Sequence, residues 1–429
     1  MKRIIALILA VAMLLTLFAA CDQNEAETTE SEDTMTADIG NTPMPKTKAE
    51  ALFSRISPED SNYHLRLAEL AVSDIMGHYW IGDLETGYFM PVWKGYPEDL
   101  ADERGAIWEM AVCMFAVYDM WVITGDETYK QYMICEANYY KENFSDSLSD
   151  IETAGALLNT ASDDCAWTAL FMLNCYTVTE DMWFVERAIN LLDDAYARWH
   201  DNQLGGGLWY KDGDTTKSLY EVGIALSWLR IWEITGEQRF WDLALESYNW
   251  MHDYLGREDG IYSISISSAG QASGRISEAG SCSFLAGNMG MASLHAKLYS
   301  ITGEQKYLDR VYATNAGIVK NYDINGILLN DRDAWTNGTF ATFYASWVLS
   351  LPNTEEMQTL LKNTATSIVK NARTADGYYG GSWQGPADGP ASIWASNGSV
   401  ALQTMTSGTS VSIVVAAAML EAGIDDYVR

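Results

Sequence analysis

Positive charge is scarce in this chain. Its 429 residues carry 27 Lys plus Arg against 58 Asp plus Glu, a formal net charge of −31. A surface that negative repels phosphate backbones and anionic headgroups, so nucleic acid is excluded as a partner. Histidine is scarcer still. His64, His78, His200, His252 and His295 are scattered without HxH or HExxH spacing, so no histidine-built metal site is expected. The six cysteines contain no CxxC, which removes a redox pair and a zinc ribbon. The N-terminal apolar run, Ile4 to Leu17, is shorter than the roughly 20 residues of a spanning helix, and no long β-branched run marks a core sheet. Aromatic rings, by contrast, are abundant, at 12% of the chain with 16 Trp and 24 Tyr. Most of them fill a core, and amphipathic rings also suit a ligand with an apolar face and polar edges, such as a sugar. Length alone allows one large closed fold or two to three average domains.

The first twenty residues are a targeting signal rather than part of the fold. Lys2 and Arg3 precede an apolar run from Ile4 to Leu17 and the small-residue ending Phe18-Ala19-Ala20, which reads as a signal peptide over residues 1–20. Cys21 directly after the small pair resembles the lipobox of bacterial lipoproteins, with Phe18 where Leu is usual. That resemblance implies a mature chain beginning at Cys21, lipidated on its sulfur and amino group. It also implies an extracytoplasmic protein whose only contact with a bacterial membrane is the lipid anchor. Loss of Lys2 and Arg3 takes the net charge from −31 to −33. Residues 22–48 hold seven acidic side chains and no aromatic one, so they cannot offset chain entropy by burial. Residues 21–48 are therefore expected to be a lipid-anchored disordered linker, and residues 49–429 the folded domain. The remaining Cys113, Cys135, Cys165, Cys175 and Cys282 are odd in number and cannot all pair internally, so buried free thiols are expected.

A repeat organises that domain. Ile123-Thr124-Gly125-Asp126, Val178-Thr179-Glu180-Asp181, Ile234-Thr235-Gly236-Glu237 and Ile301-Thr302-Gly303-Glu304 are each followed by an aromatic residue, and Asn353-Thr354-Glu355-Glu356 reads as a weaker copy. The threonines lie at 124, 179, 235, 302 and 354, in steps of 55, 56, 67 and 52. Each phrase ends one apolar-periodic helix, turns, and starts another with an acidic first turn and an aromatic staple. The unit is an αα-hairpin. Helical patterns are predicted over 62–81, 104–124, 127–143, 163–178, 181–200, 217–234, 238–255, 284–301, 304–320, 337–350, 354–372 and 408–422. Twelve helices in one chain can close on themselves where an open solenoid would expose two apolar ends. The expected fold is all-α, an (α/α)6 barrel of six helical hairpins. Longer loops with Gly-aromatic phrases, 205–210, 260–262, 326–328 and 376–383, all enter the first helix of a hairpin and so share one rim. The inner helices point their positive amino ends at that rim.

Asp163 and Asp164 open the second inner helix in Ser162-Asp163-Asp164-Cys165-Ala166-Trp167. Helix capping accounts for one aspartate and part of a second. Two carboxyls are also what glycoside hydrolysis requires, about 5 to 5.5 Å apart for retention and about 6.5 to 9.5 Å for inversion. Adjacent Cα atoms lie about 3.8 Å apart, which suits the retaining distance. Trp108, Trp209 and Trp383 lie near the predicted rim, where each either stacks on a sugar or fills the core. Asp331, Arg332 and Asp333 read as a solvated loop cluster, and Glu221 as an ion-pair partner of Lys217 one helical turn earlier.

The segment from Asp163 to Tyr210, with Asp-Asp-x-x-Trp, the following hairpin and Gly205-Gly206-Gly207-Leu208-Trp209, resembles glycoside hydrolase family 76, the α-1,6-mannanases and related enzymes. The resemblance runs from about residue 50 to the end and includes Gly381-Ser382-Trp383-Gln384-Gly385-Pro386. It implies an (α/α)6 barrel acting with retention on α-mannosidic linkages of extracellular glycans. By the same carry-over Asp163 is the nucleophile and Asp164 the general acid/base. A helix amino end favours an ionised Asp163, and that charge keeps a proton on Asp164. Trp209, Lys217, Asn288 and Trp383 are the expected substrate-binding residues, with no cofactor, no metal and a monomeric state. The family's Lys-Asn-x-Ile-Ser-Asn keeps only its Lys here, in Lys217-Ser218-Leu219-Tyr220-Glu221-Val222. Its Tyr-Asn-Gln-Gly becomes Gly287-Asn288-Met289-Gly290, and its Phe-Lys-Gly-Ile-Phe becomes Thr336-Asn337-Gly338-Thr339-Phe340. Those departures motivate two rival readings, a glycan-binding lipoprotein without turnover and a glycosidase of this fold for another α-glycan. A sugar epimerase of the same architecture would be expected to rely on histidine bases and ranks last.

Overall fold

A computed structural model describes residues 56–90, 107–144, 161–270, 272–273, 284–330, 336–387, 404–425 and 427. The signal peptide, Cys21, the linker, Cys282 and the cluster at 331–333 lie outside the described residues. The helices in chain order are α1 (Tyr63–Tyr79), α2 (Ile107–Thr124), α3 (Glu127–Phe144), α4 (Ser162–Thr179), α5 (Trp183–Trp199) and α6 (Glu221–Thr235). They continue with α7 (Gln238–Leu255), α8 (Leu285–Thr302), α9 (Gln305–Tyr322), α10 (Ala341–Phe343, running on as a π turn over Tyr344–Val348), α11 (Glu355–Asn371) and α12 (Thr404–Ala422).

The even-numbered helices form a closed inner ring. Each packs against the next, α2 on α4, α4 on α6, α6 on α8, α8 on α10 and α10 on α12, and α12 returns to α2. The odd-numbered helices make the outer layer, and α1 closes it by packing on α12 and α11. Composition sorts the two layers. In α5 the buried residues are Phe184, Val185, Ala188, Leu191, Leu192, Ala195 and Trp199, one face at helical spacing. In α4 burial is nearly continuous from Ser162 to Cys175, because neighbours surround it. The helix α2 is long and apolar enough to cross a membrane, and most of it is buried inside the ring. Cys113, Cys135, Cys165 and Cys175 are free and buried, as expected.

The recurring phrase works through its threonine. The hydroxyls of Thr124, Thr179, Thr235 and Thr302 donate to the carbonyls of Met120, Cys175, Ile231 and Leu298, four residues back, at 2.6 to 2.9 Å. The same hydroxyls accept the N–H of Asp126, Asp181, Glu237 and Glu304, two residues ahead. One side chain thus satisfies the end of one helix and the approach to the next. The residue between adopts positive φ, as in Gly236 at 72° and Glu180 at 59°. The fifth copy is out of register by two residues. There the positive φ belongs to Asn353, and Thr354 is the N-cap of α11, with its hydroxyl on the carbonyls of Leu349 and Leu351.

Among the described residues strand is confined to loop pairings, all antiparallel: β1 (Trp80–Ile81) with β2 (Tyr88–Phe89), β3 (Thr216–Ser218) with β4 (Ser265–Ser267), β4 with β5 (Ala272–Ser273), and β6 (Asp323–Ile324) with β7 (Ile327–Leu328). Two expected helices start four residues after their patterns, at Glu221 and Ala341. The one predicted from 217 begins at Glu221, because β3 occupies 216–218. The one predicted over 337–350 starts as a turn, in which Thr339 N–H bonds Thr336 O and Gly338 N–H is held by the Thr409 hydroxyl.

Candidate active site

The loops entering the inner helices converge on one rim, and Asp163 and Asp164 lie there in the first turn of α4. Ala161, in extended conformation, is the N-cap and makes no side-chain cap hydrogen bond. Both aspartates are therefore inside the helix, and capping does not account for the pair. Asp163 is buried and Asp164 half-buried. Asp163 Oδ1 accepts the Asp164 N–H at 3.1 Å, and the helix amino end favours negative charge at this position. Burial, with Asp164 the leading charge beside it, pushes the Cys165 thiol far up, so this cysteine is inert. One turn on, Trp167 is buried against Phe340 of the turn before α10, ring centroids 4.8 Å apart, and the two rings pack together beneath the rim.

The Gly-rich loop is fastened to this helix. Tyr210 O accepts the Ser162 N–H at 2.8 Å, immediately before Asp163, and Tyr210 N–H bonds Thr216 O at the start of β3. Gly205, Gly206 and Gly207 all have positive φ, and a Cβ on Gly207 would lie 2.3 Å from the Trp250 ring. The turn these glycines make wraps Lys217, whose Nζ lies within 3.3 Å of five oxygens: Asp201 O and Oδ1 and the carbonyls of Gln203, Gly206 and Gly207.

Three of the four residues expected to contact substrate are fully buried, with their polar atoms bonded to loops or neighbouring helices. Lys217 is fully buried with its donors spent on the loop. Asn288 is fully buried, its Oδ1 accepting Tyr262 N–H and its Nδ2 donating to Phe284 O. Trp383 is fully buried, its indole N–H on the Ser410 hydroxyl. All three hold loops in place. Trp209 is half-buried, with its N–H on Asp201 Oδ2 at 2.7 Å and the Lys217 ammonium 4.8 Å from its ring centre. Trp108, at the start of α2, is half-buried against the core.

Electrostatics bind the same loop. Burial raises Asp201, and hydrogen bonds from Lys217, Trp209 and the Gln203 backbone overcome it and hold the carboxyl at about 2. Asp201, not Glu221, is the ion partner of Lys217. Glu221 is buried and accepts the Leu208 N–H at 2.8 Å. Burial lifts its carboxyl to about 7 against the pull of the Leu208 N–H, the Ser247 hydroxyl and the Lys217 charge. The rim also carries aromatics that pattern reading passed over. Tyr210, Tyr220 and Phe284 follow one another around it, with centroids 5.4 and 4.5 Å apart. The available signal was an aromatic directly before each of two inner helices, hidden because 217–220 and 284 read as helix.

The sequence profile described as glycosyl hydrolase family 76 matches residues 66–417. The chain belongs to glycosyl hydrolase family 76. Solved structures of the fold agree. An inactive variant of the α-1,6-mannanase of Salegentibacter sp. HEL1_6, with two consecutive aspartates replaced by alanine, is in complex with α-1,6-mannotetrose. It matches with a TM-score of 0.68 at 20% identity, over 84% of this chain and 99% of that one. The family 76 mannosidase Bt3792 of Bacteroides thetaiotaomicron gives 0.65 at 17% identity, over 84% and 99%. Dfg5 of Chaetomium thermophilum, in complex with glucosamine, gives 0.64 at 16%, over 86% and 92%. None of the curated proteins compared with the chain matches it. The all-α barrel is thus the fold of this family 76 member, and glycoside hydrolysis is the chemistry its site must be read against.

Proposed function

We propose that this family 76 member is a retaining glycoside hydrolase acting on α-mannosidic linkages of extracellular glycans. The observation that carries the reading is the adjacent pair Asp163 and Asp164, set inside the first turn of an inner helix at the loop-bearing rim, where capping does not explain it. The inactivation of the Salegentibacter mannanase by replacement of two consecutive aspartates supports the same assignment, as does its mannotetrose complex. Asp163, buried at the positive helix end, attacks the anomeric carbon as the sugar's oxocarbenium character develops. Asp164, the more exposed of the two, gives its proton to the departing glycosidic oxygen. It then takes a proton from the water that breaks the glycosyl ester and returns Asp163 as carboxylate. Trp209 is the expected ring beside this pair. A lipid on Cys21 and the acidic linker would hold the barrel outside the cell, within reach of polymers.

The test is reducing-sugar release from a panel of α-mannans and other α-glycans, with Asp163→Asn and Asp164→Asn alongside the wild type. Each variant is expected to lose at least about 100-fold in kcat, and product formed before mutarotation should keep the α configuration. A folded wild type that retains a glycan without cleaving it, and does so equally with Asp163→Asn, would replace this reading with glycan binding alone.

A further inference from the structure

Among the described residues of the rim sector next to the aspartates, several polar groups are committed to the protein's own loops. Lys217 and Asn288 are spent on loops. Asn337, at the entry to α10, accepts the N–H of Leu285 and Ala286 at the start of α8, and its amide donates to Asn330 Oδ1. Thr409 of α12 accepts the Gly338 N–H. The starts of α8 and α10 are thus served by neighbouring side chains, and their first donors are spent inside the protein.

Ring faces occupy the same sector. Tyr210 leaves the loop whose carbonyl is bonded to Ser162, so its backbone adjoins the aspartates. Tyr220 is the N-cap of α6 and Phe284 the N-cap of α8. The Tyr210 and Tyr220 rings lie 5.4 Å apart at 35°, and the Tyr220 and Phe284 rings 4.5 Å apart at 52°. Phe284 is buried against Tyr220, and both tyrosines are half-buried. The three form a strip along the rim from the entry of α4 past α6 to α8.

We propose that Tyr220, flanked by Tyr210, is a substrate-binding and specificity-determining residue that stacks on the apolar face of a pyranose bound beside Asp163. This inference rests on the glycosidase reading of the site and states how the glycan is held. A pyranose offers a patch of C–H groups on one face, and an aromatic ring matches it with little entropy cost because only two torsions are fixed. Where hydroxyl-binding side chains are committed elsewhere, this contact supplies the hold, and selection follows which ring face a glycan presents.

Binding of α-1,6-mannotetrose is measured by calorimetry in the full chain carrying Asp163→Asn, alone and combined with Tyr220→Ala, Tyr220→Leu or Tyr220→Phe. Tyr220→Leu keeps apolar volume against Phe284 and guards against a folding failure in the alanine variant. Loss of about tenfold in affinity with Ala and Leu, and less than about twofold with Phe, is expected. In the active protein the Ala and Leu variants should raise KM with kcat kept, a split that a general loss of structure does not produce. Unchanged affinity in folded Tyr220→Ala or Tyr220→Leu overturns the stacking role and leaves the catalytic reading standing. A wild type that neither binds nor cleaves any α-mannan overturns both.

Discussion

Lys217 carries its charge into a site that water does not reach, and five oxygens replace the water. Four of those oxygens are main-chain carbonyls, which any residue supplies, so no side-chain pattern in the sequence announces them. The aspartate pair was legible for the opposite reason, since two like charges side by side need a cause and a capping role uses only one of them. The buried ammonium also keeps Asp201 ionised and, through the loop it closes, holds Tyr210 against the start of α4. Lys217→Met leaves those carbonyls without a donor and Asp201 without its cation. It should lower stability by about 3 kcal/mol, read as a shift in the urea midpoint at constant slope. Activity should fall in parallel, and a variant as stable as the wild type would show that the cage is not what fastens the loop.

At the scale of elements, periodicity and the Thr-Gly-acid phrase were enough to place the helices, because both are local. What they missed was non-local. The strand β3 spans three residues and pairs with β4 some fifty residues later, so nothing in Thr216-Lys217-Ser218 separates it from a helix start. The turn before α10 is held by Thr409 of α12, again a distant partner. How closely the inner helices approach is equally invisible in pattern. Gly290 of α8 faces α6 and the turn before α10, and a Cβ there would lie 2.8 Å from Val222 Cγ2 and 3.1 Å from the Phe340 ring. Val222 is fully buried and stiff about χ1, so it cannot yield cheaply. In a free helix Gly→Ala gains about 1 kcal/mol. In α8 the sign should reverse, with Gly290→Ala destabilising by about 1 to 2 kcal/mol as the ring is forced apart. A lowered melting temperature checks this, and a raised one would mean that the ring has slack at this crossing.

For the whole molecule, closure was legible from the number of helices, while the ionisation state of its interior follows only from burial. Glu136 is enclosed between α3 and β2, and its Oε2 accepts the Phe89 N–H. Burial raises its carboxyl from 4.5 to about 8. Glu69 and Glu221 are each lifted to about 7 by burial in the same way. Below 4.5 such a carboxyl is protonated in both the folded and the unfolded chain. Between 4.5 and the raised value the unfolded chain has released the proton and the folded one has not, so stability falls as pH rises through this window. His295 acts on the other side. It is fully buried between Tyr248 and Tyr262, whose hydroxyls bond its two ring nitrogens, and burial holds it neutral well below its ordinary 6.5. The unfolded chain takes up that proton as pH drops below 6.5, so stability falls toward acid as well. Glu136→Gln separates the two effects, because glutamine keeps the volume and an oxygen for Phe89 and cannot ionise. Its melting temperature should match the wild type at pH 4.5, exceed it by a margin that grows up to pH 8, about 5 °C there, and hold that margin above pH 8. A margin constant from pH 4.5 to 8 would show that Glu136 ionises in the folded barrel as readily as in the unfolded chain, with its charge compensated inside the protein.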